Sequence, residues 1–134
     1  MITLEAARRM IRTAQQRARE LNVRIVVAVA DAAGHLVALE RMDGAKWICV
    51  DLARAKASTA AAFGEPTLEF GRRTQPGTEL YGINSLGLPG IAVFGGGVPV
   101  VDKAGSVVGA VGVSGSPTDT DCACAEAAAL AFDE

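Results

Sequence analysis

The chain has 134 residues, half of them hydrophobic but only 4% aromatic, and a formal net charge of −2. That length suits one domain over residues 1–134, and the charge balance removes the case for nucleic acid, whose phosphates call for a basic face. No run of about 18 apolar residues is present to cross a membrane, and three cysteines without framework spacing (Cys49, Cys122, Cys124) point to reduced thiols and a cytoplasmic location.

Leu4, Ala7, Ile11, Ala14, Ala18 and Leu21 recur at intervals of three and four, the signature of one helix face. Thr3 is placed to cap it, and Glu5 brings negative charge to its first turn. Arg8, Arg9, Arg12 and Arg19 fall on the outer side, as a solvated face or a contact for an acidic partner. Ile25 to Ala30 is a continuous apolar run, expected as a strand covered on both faces. A turn at residues 32–34 and a second strand at residues 35–41 complete a hairpin. Within that strand Val37, Leu39 and Arg41 share a face, so Arg41 emerges beside Asp43.

Residues 46–63 read as a helix that is small and apolar almost all round, with Ile48, Leu52, Ala55, Thr59 and Ala62 on one side and Val50, Ala53, Ala57, Ala60 and Ala61 on the other. Such a helix calls for cover on two sides, one from a sheet and one from another subunit, which predicts a homo-oligomer. Residues 64–90 are irregular apart from a helical turn at residues 67–72, and serve as a lid or as a surface strap. Short strands follow at residues 91–94, 98–101 and 106–113, with Gly95-Gly96-Gly97 between the first two. Gly109 and Gly112 lie inside the last strand, where glycine weakens pairing unless a backbone, ligand or bulge needs the room. Ser116, Pro117 and Asp119 fit the start of a final Ala-rich helix running to about Phe132. Cys122 and Cys124 point to nearly opposite sides of that helix, so no metal site is expected there. The order of elements predicts an α+β domain with helices on the faces of an antiparallel sheet.

Several residues can carry chemistry. Gly95, Gly96 and Gly97 can present unobstructed N–H groups, and Ser114-Gly115 leads into a helix N-terminus; converging, they make an anion pocket, and apart they are structural. Lys56, in mid-helix among alanines, can anchor a carboxylate or act as a base; its structural alternative is an ion pair with Asp43 or Asp31. Asp121 can stabilise a cation or a ligand hydroxyl, or simply place charge near the helix N-terminus. His35, the only histidine, can ligate haem iron or be a turn residue.

The stretches VAVADAAGHLVALERMDGA at 27–45, DLARAKASTAAAF at 51–63 and GGGVPVVDKAGSVVGAVGVSGSPTDTD at 95–121 resemble the GlcG/HbpS family, whose domain also forms the C-terminal part of PduO-type corrinoid adenosyltransferases. The resemblance implies a profilin-like three-layer α/β/α fold with a central antiparallel sheet, and oligomers as large as octamers. It further implies haem or iron binding, corrinoid-linked diol metabolism or a place in glycolate-type operons. The positions that match are Arg41, Asp43, Lys56, Thr59, Gly96, Pro99, Gly112, Ser114, Gly115 and Asp121. The match departs after Asp121, where Cys122-Ala123-Cys124 stands in place of a more acidic stretch.

Three functions follow as expectations. The first is a small-molecule-binding domain of organic-acid or cofactor metabolism. Its carboxylate ligand would sit between Arg41, Lys56 and the glycine-rich backbone, beside Asp43, Ser114 and Gly115. Lys56 or Asp121 would move a proton, and the Gly95–Gly97 amides would hold an enolate oxygen. The second is a haem-binding or haem-degrading protein using His35. The third is a non-catalytic oligomeric accessory subunit.

Overall fold

The computed structural model describes residues 1–88 and 90–133. Its elements run α1 (Leu4–Glu20), β1 (Val26–Asp31), β2 (Leu36–Arg41), α2 (Ile48–Phe63), α3 (Thr67–Arg72), β3 (Gly97–Val101), β4 (Val107–Ser114) and α4 (Thr118–Leu130), with short 3-10 turns at Ile83–Ser85 and Ala131–Asp133. The strands form one antiparallel sheet in the order β2-β1-β4-β3.

Both hairpins use one turn design. Asp31 Oδ1 accepts from the amides of Ala33 and His35, and Asp102 Oδ1 accepts from those of Ala104 and Ser106. Gly34 and Gly105 take the positive φ that each turn requires, at 84° and 83°. Such tight connections allow only antiparallel neighbours, as expected from the sequence.

Alternation along the strands then sorts the core into two layers. Val27, Val29, Val111 and Val113 pack with Met10, Ile11 and Ala14 of α1 and Cys124, Ala125 and Ala128 of α4. Val26, Ala28 and Ala30 face the other way, onto Cys49, Ala53 and Ala57 of α2. The result is the α+β, profilin-like three-layer α/β/α arrangement. With so few aromatic residues, the core fills only because backbones approach closely. A Cβ on Gly112 would run into the Ala53 carbonyl and lie 2.6 Å from the Ala57 nitrogen, so α2 rests directly on β4.

Three local expectations are corrected. Residues 91–94 form no strand, because the Ala92 amide is spent on Thr59 Oγ1 of α2 (2.9 Å) and not on a neighbouring strand. The pairing of β1 with β2 shifts between Val29 and Ala30, so Val37 is an extra residue that turns towards the α1 layer while Leu39 keeps to the α2 layer. The sheet-facing side of α2 is the row Cys49, Ala53, Lys56, Ala57 and Ala60, which leaves Ile48, Asp51, Arg54 and Ala62 outermost. Ala57 and Ala60 therefore contact the sheet and are not available to another subunit.

Candidate functional site

Lys56 is the largest fully buried side chain among the described residues, 1% exposed. It sits in mid-α2 on the sheet-facing side, and its length carries the ammonium to the last residues of β4. There Nζ donates to the Val113 carbonyl (2.8 Å) and to Asp121 Oδ2 (3.2 Å), and stands 5.0 Å from the centroid of the Phe94 ring. The triple glycine makes this path possible. Gly96 has φ of 124°, and a Cβ there would lie 2.5 Å from the Val113 oxygen and 2.8 Å from Lys56 Nζ.

Asp121 is held equally firmly, at 3% exposure. It lies in the first turn of α4, where its Oδ1 reaches back to accept from the Ser116 amide (3.0 Å) and the Ser116 hydroxyl (2.5 Å). Asp121, and not Asp119, thus closes the helix start. Asp119 accepts only from the Thr120 amide and hydroxyl next to it. Both charges of the pair are satisfied by hydrogen bonds, as burial demands.

Above this pair lies a cavity of about 370 Å³ lined by Lys46, Ile48, Cys49 and Leu52 on one wall and by Phe94, Ser114, Gly115, Ser116 and Thr118 on the other, with Lys56 and Asp121 at its floor. A second cavity, of about 640 Å³, opens on the far side of α2 between Gly34, His35 and Leu36 and the residues Asp51, Leu52, Arg54, Ala55 and Ser58.

The residues singled out from the sequence are thereby divided. Lys56, Asp121, Ser114 and Gly115 meet at the smaller cavity. The partner of Lys56 is Asp121, 65 residues away, and neither Asp43 nor Asp31. Arg41 and Asp43 are exposed, and neither lines either cavity. Arg41 pairs with Val26, which pairs with Ser114, so two strand spacings, about 10 Å, separate Arg41 from the site. Gly95, Gly96 and Gly97 line neither cavity; the Gly97 amide donates to Thr67 Oγ1 (2.9 Å), and the Gly96 carbonyl accepts from the Val113 amide (2.8 Å). The lack of a Cβ at Gly96 and Gly97 gives passage to Lys56 and closeness to α2. His35 is exposed in the hairpin turn and borders only the larger cavity.

Ser116, Phe94 and Lys46 belong to the site but were not marked as ligand residues by the sequence. The signal for Ser116 was present, since a serine before proline with an acid five residues on fits a reach-back hydrogen bond. The thiols beside the site are subdued. Burial above all, with the Glu126 charge, raises the Cys122 pKa against the opposing pull of Lys56. Burial and then the Asp121 charge push Cys124 up to about 11. Among the described residues no three His, Cys, Asp or Glu side chains are grouped to hold a metal ion.

The chain is thus a three-layer α+β domain with a small cavity over a buried ion pair. The chain belongs to the HbpS-like family, described as haem degrading protein HbpS-like, whose model matches residues 2–130. It is 40% identical over 133 residues to a 15.0 kDa protein encoded in the dhaT-dhaS intergenic region of Citrobacter freundii, covering 99% of this chain and 93% of that one. The crystal structure of Klebsiella pneumoniae protein ORFY superposes with a TM-score of 0.94 at 37% identity, over 98% of this chain and 90% of that one. A crystal structure of a PduOC:heme complex superposes with a TM-score of 0.88 at 34% identity, over 95% and 91% of the respective chains.

Proposed function

We propose that this protein binds a small metabolite in the cavity over Lys56 and Asp121 and moves a proton on it. The observation that carries this reading is a hydrogen-bonded ion pair buried under an open cavity. Such a pair adds little to stability relative to apolar packing, so its retention points to use. Lys46 at the cavity wall supplies a cation for an anionic ligand such as a small carboxylate, and Ile48, Leu52 and Phe94 cover its apolar part. A ligand proton passes to Ser116 Oγ as the Ser116 proton passes to Asp121 Oδ1; the reverse exchange returns it at another position, so nothing is oxidised or reduced. Lys56 holds the carboxylate in place. Three unpaired cysteines suit a reducing cytoplasm. The outer face of α2, with Trp47 70% exposed beside Ile48, suits burial against another copy in a homo-oligomer.

Thermal melting against a panel of small carboxylates and alcohols tests the reading. A saturable rise in Tm for one compound class, absent when Thr118→Trp fills the cavity, supports it. A rise that survives Thr118→Trp, or none with any compound, overturns it.

A second reading is haem binding, favoured by the exposed His35 imidazole at the larger cavity and by the relative crystallised with haem. The donor set fits. His35 offers an iron ligand, Arg54 a partner for a propionate, and Ala30, Leu36, Leu52 and Ala55 an aliphatic wall. Bound haem would supply redox-active iron.

A further inference from the structure

We infer that the ligand group at the floor of the smaller cavity is a hydroxyl, clasped between Ser114 and Ser116. This rests on the reading of that cavity as the ligand site. Lys56 and Asp121 lie at the floor but are 1% and 3% exposed, so they offer a ligand almost no surface. Ser114, Ser116 and Thr118 line the same cavity, and of these Ser116 bonds Asp121 directly while Ser114 follows the Val113 carbonyl that holds Lys56.

Their hydrogen-bonding states differ. The Ser116 hydroxyl has its single proton committed to Asp121 Oδ1 at 2.5 Å, and Pro117 O, 3.4 Å away, competes only weakly. What Ser116 turns to the cavity is therefore a lone pair, which a ligand can meet only by donating. Ser114 is the opposite case. It is 4% exposed, lines the cavity, and its side chain forms no hydrogen bond among the described residues. Among the described residues that hydroxyl is not one of the buried polar atoms left without a partner, so it keeps some open surface and its proton is free for a ligand that accepts.

One group satisfies both serines. A ligand hydroxyl donates to Ser116 and accepts from Ser114. A carbonyl or carboxylate oxygen can accept from Ser114 but faces lone pair against lone pair at Ser116. An ammonium group can donate to Ser116 but meets the positive charges of Lys46 and Lys56. In this role Ser116 contacts the ligand directly. Lys56 and Asp121 are positioning residues that fix the direction of its proton.

Lactate, pyruvate and propionate share charge and chain length and differ only at C2, so titrating each into the full chain by saturation-transfer NMR isolates the hydroxyl. The expected result is lactate bound at least tenfold more tightly than the other two. The preference should disappear in Ser116→Ala and weaken in Ser114→Ala, with melting curves confirming that both variants fold. Pyruvate binding as well as lactate, or a preference that persists in folded Ser116→Ala, overturns the inference. Equal binding of all three that is lost in Thr118→Trp leaves the cavity reading standing and removes the hydroxyl assignment. Binding of none of the three overturns the inference too, and a panel compound that still raises Tm in wild type but not in Thr118→Trp then spares the cavity.

Discussion

Removing one partner of the Lys56–Asp121 pair should cost far more than removing both. The side chains are 2% and 4% exposed, so neither charge can turn to water when its partner is lost. Asp121→Leu leaves the ammonium with the Val113 carbonyl and the Phe94 face, and Lys56→Met leaves the carboxylate with Ser116 alone. Stranding a buried charge costs about 3–5 kcal/mol. For a chain of this size that is roughly 10–20 °C in Tm, at about 4 °C per kcal/mol. The double variant Lys56→Met with Asp121→Leu strands no charge and should lie within about 1 kcal/mol of wild type, a coupling of several kcal/mol. Urea unfolding of all four proteins measures this, with unchanged m-values licensing the comparison. Single variants that each cost under about 1 kcal/mol, or a double variant that costs their sum, refute the reasoning.

Gly96→Ala should destabilise by about 2–4 kcal/mol, since it adds a Cβ against Val113 and Lys56 at a backbone angle that side chains avoid; the same urea titration reads it. Cys124 binds its proton more tightly when folded, so stability should hold up to about pH 9 and fall by about 2–3 kcal/mol as the pH rises to about 11. Urea midpoints across that range, compared with Cys124→Ala, check the sign, and a rise in stability contradicts it. Trp47→Glu should shift the sedimentation profile towards smaller species if α2 faces another copy, with little change in the far-UV spectrum. Haemin added to wild type should give a sharp Soret band that His35→Ala loses; a band unaltered by that change removes the His35 reading.

Much of the scaffold was legible because its signals are local. The 3–4 spacing of α1, the Asp-x-x-Gly turns of both hairpins and the apolar run of β1 each depend on neighbours in the chain. The family resemblance, carried by long ordered stretches, is confirmed by the match over residues 2–130. What depends on distant neighbours was less legible. Lys56 and Asp121 stood out singly, as a cation among alanines and an acid in a first turn, but their pairing spans 65 residues and two layers of the fold. The triple glycine suggested free amides, whereas its reason is steric: only glycine leaves room for the Lys56 side chain and the α2 backbone. Arg41 was grouped with Lys56 because both are cations near apolar rows, yet β1 stands between Arg41 and β4. Ser116 was read as part of a helix start; it stands just before Pro117, the cap residue of α4, and its hydroxyl bonds Asp121 in the first turn.

The most direct test of a pair kept for ligand handling compares native mass spectra of wild type and the Lys56→Met, Asp121→Leu double variant, purified side by side and both folded. The account predicts a small bound mass on wild type that the double variant lacks. Equal retention by both proteins would show that the ion pair plays no part in holding a ligand.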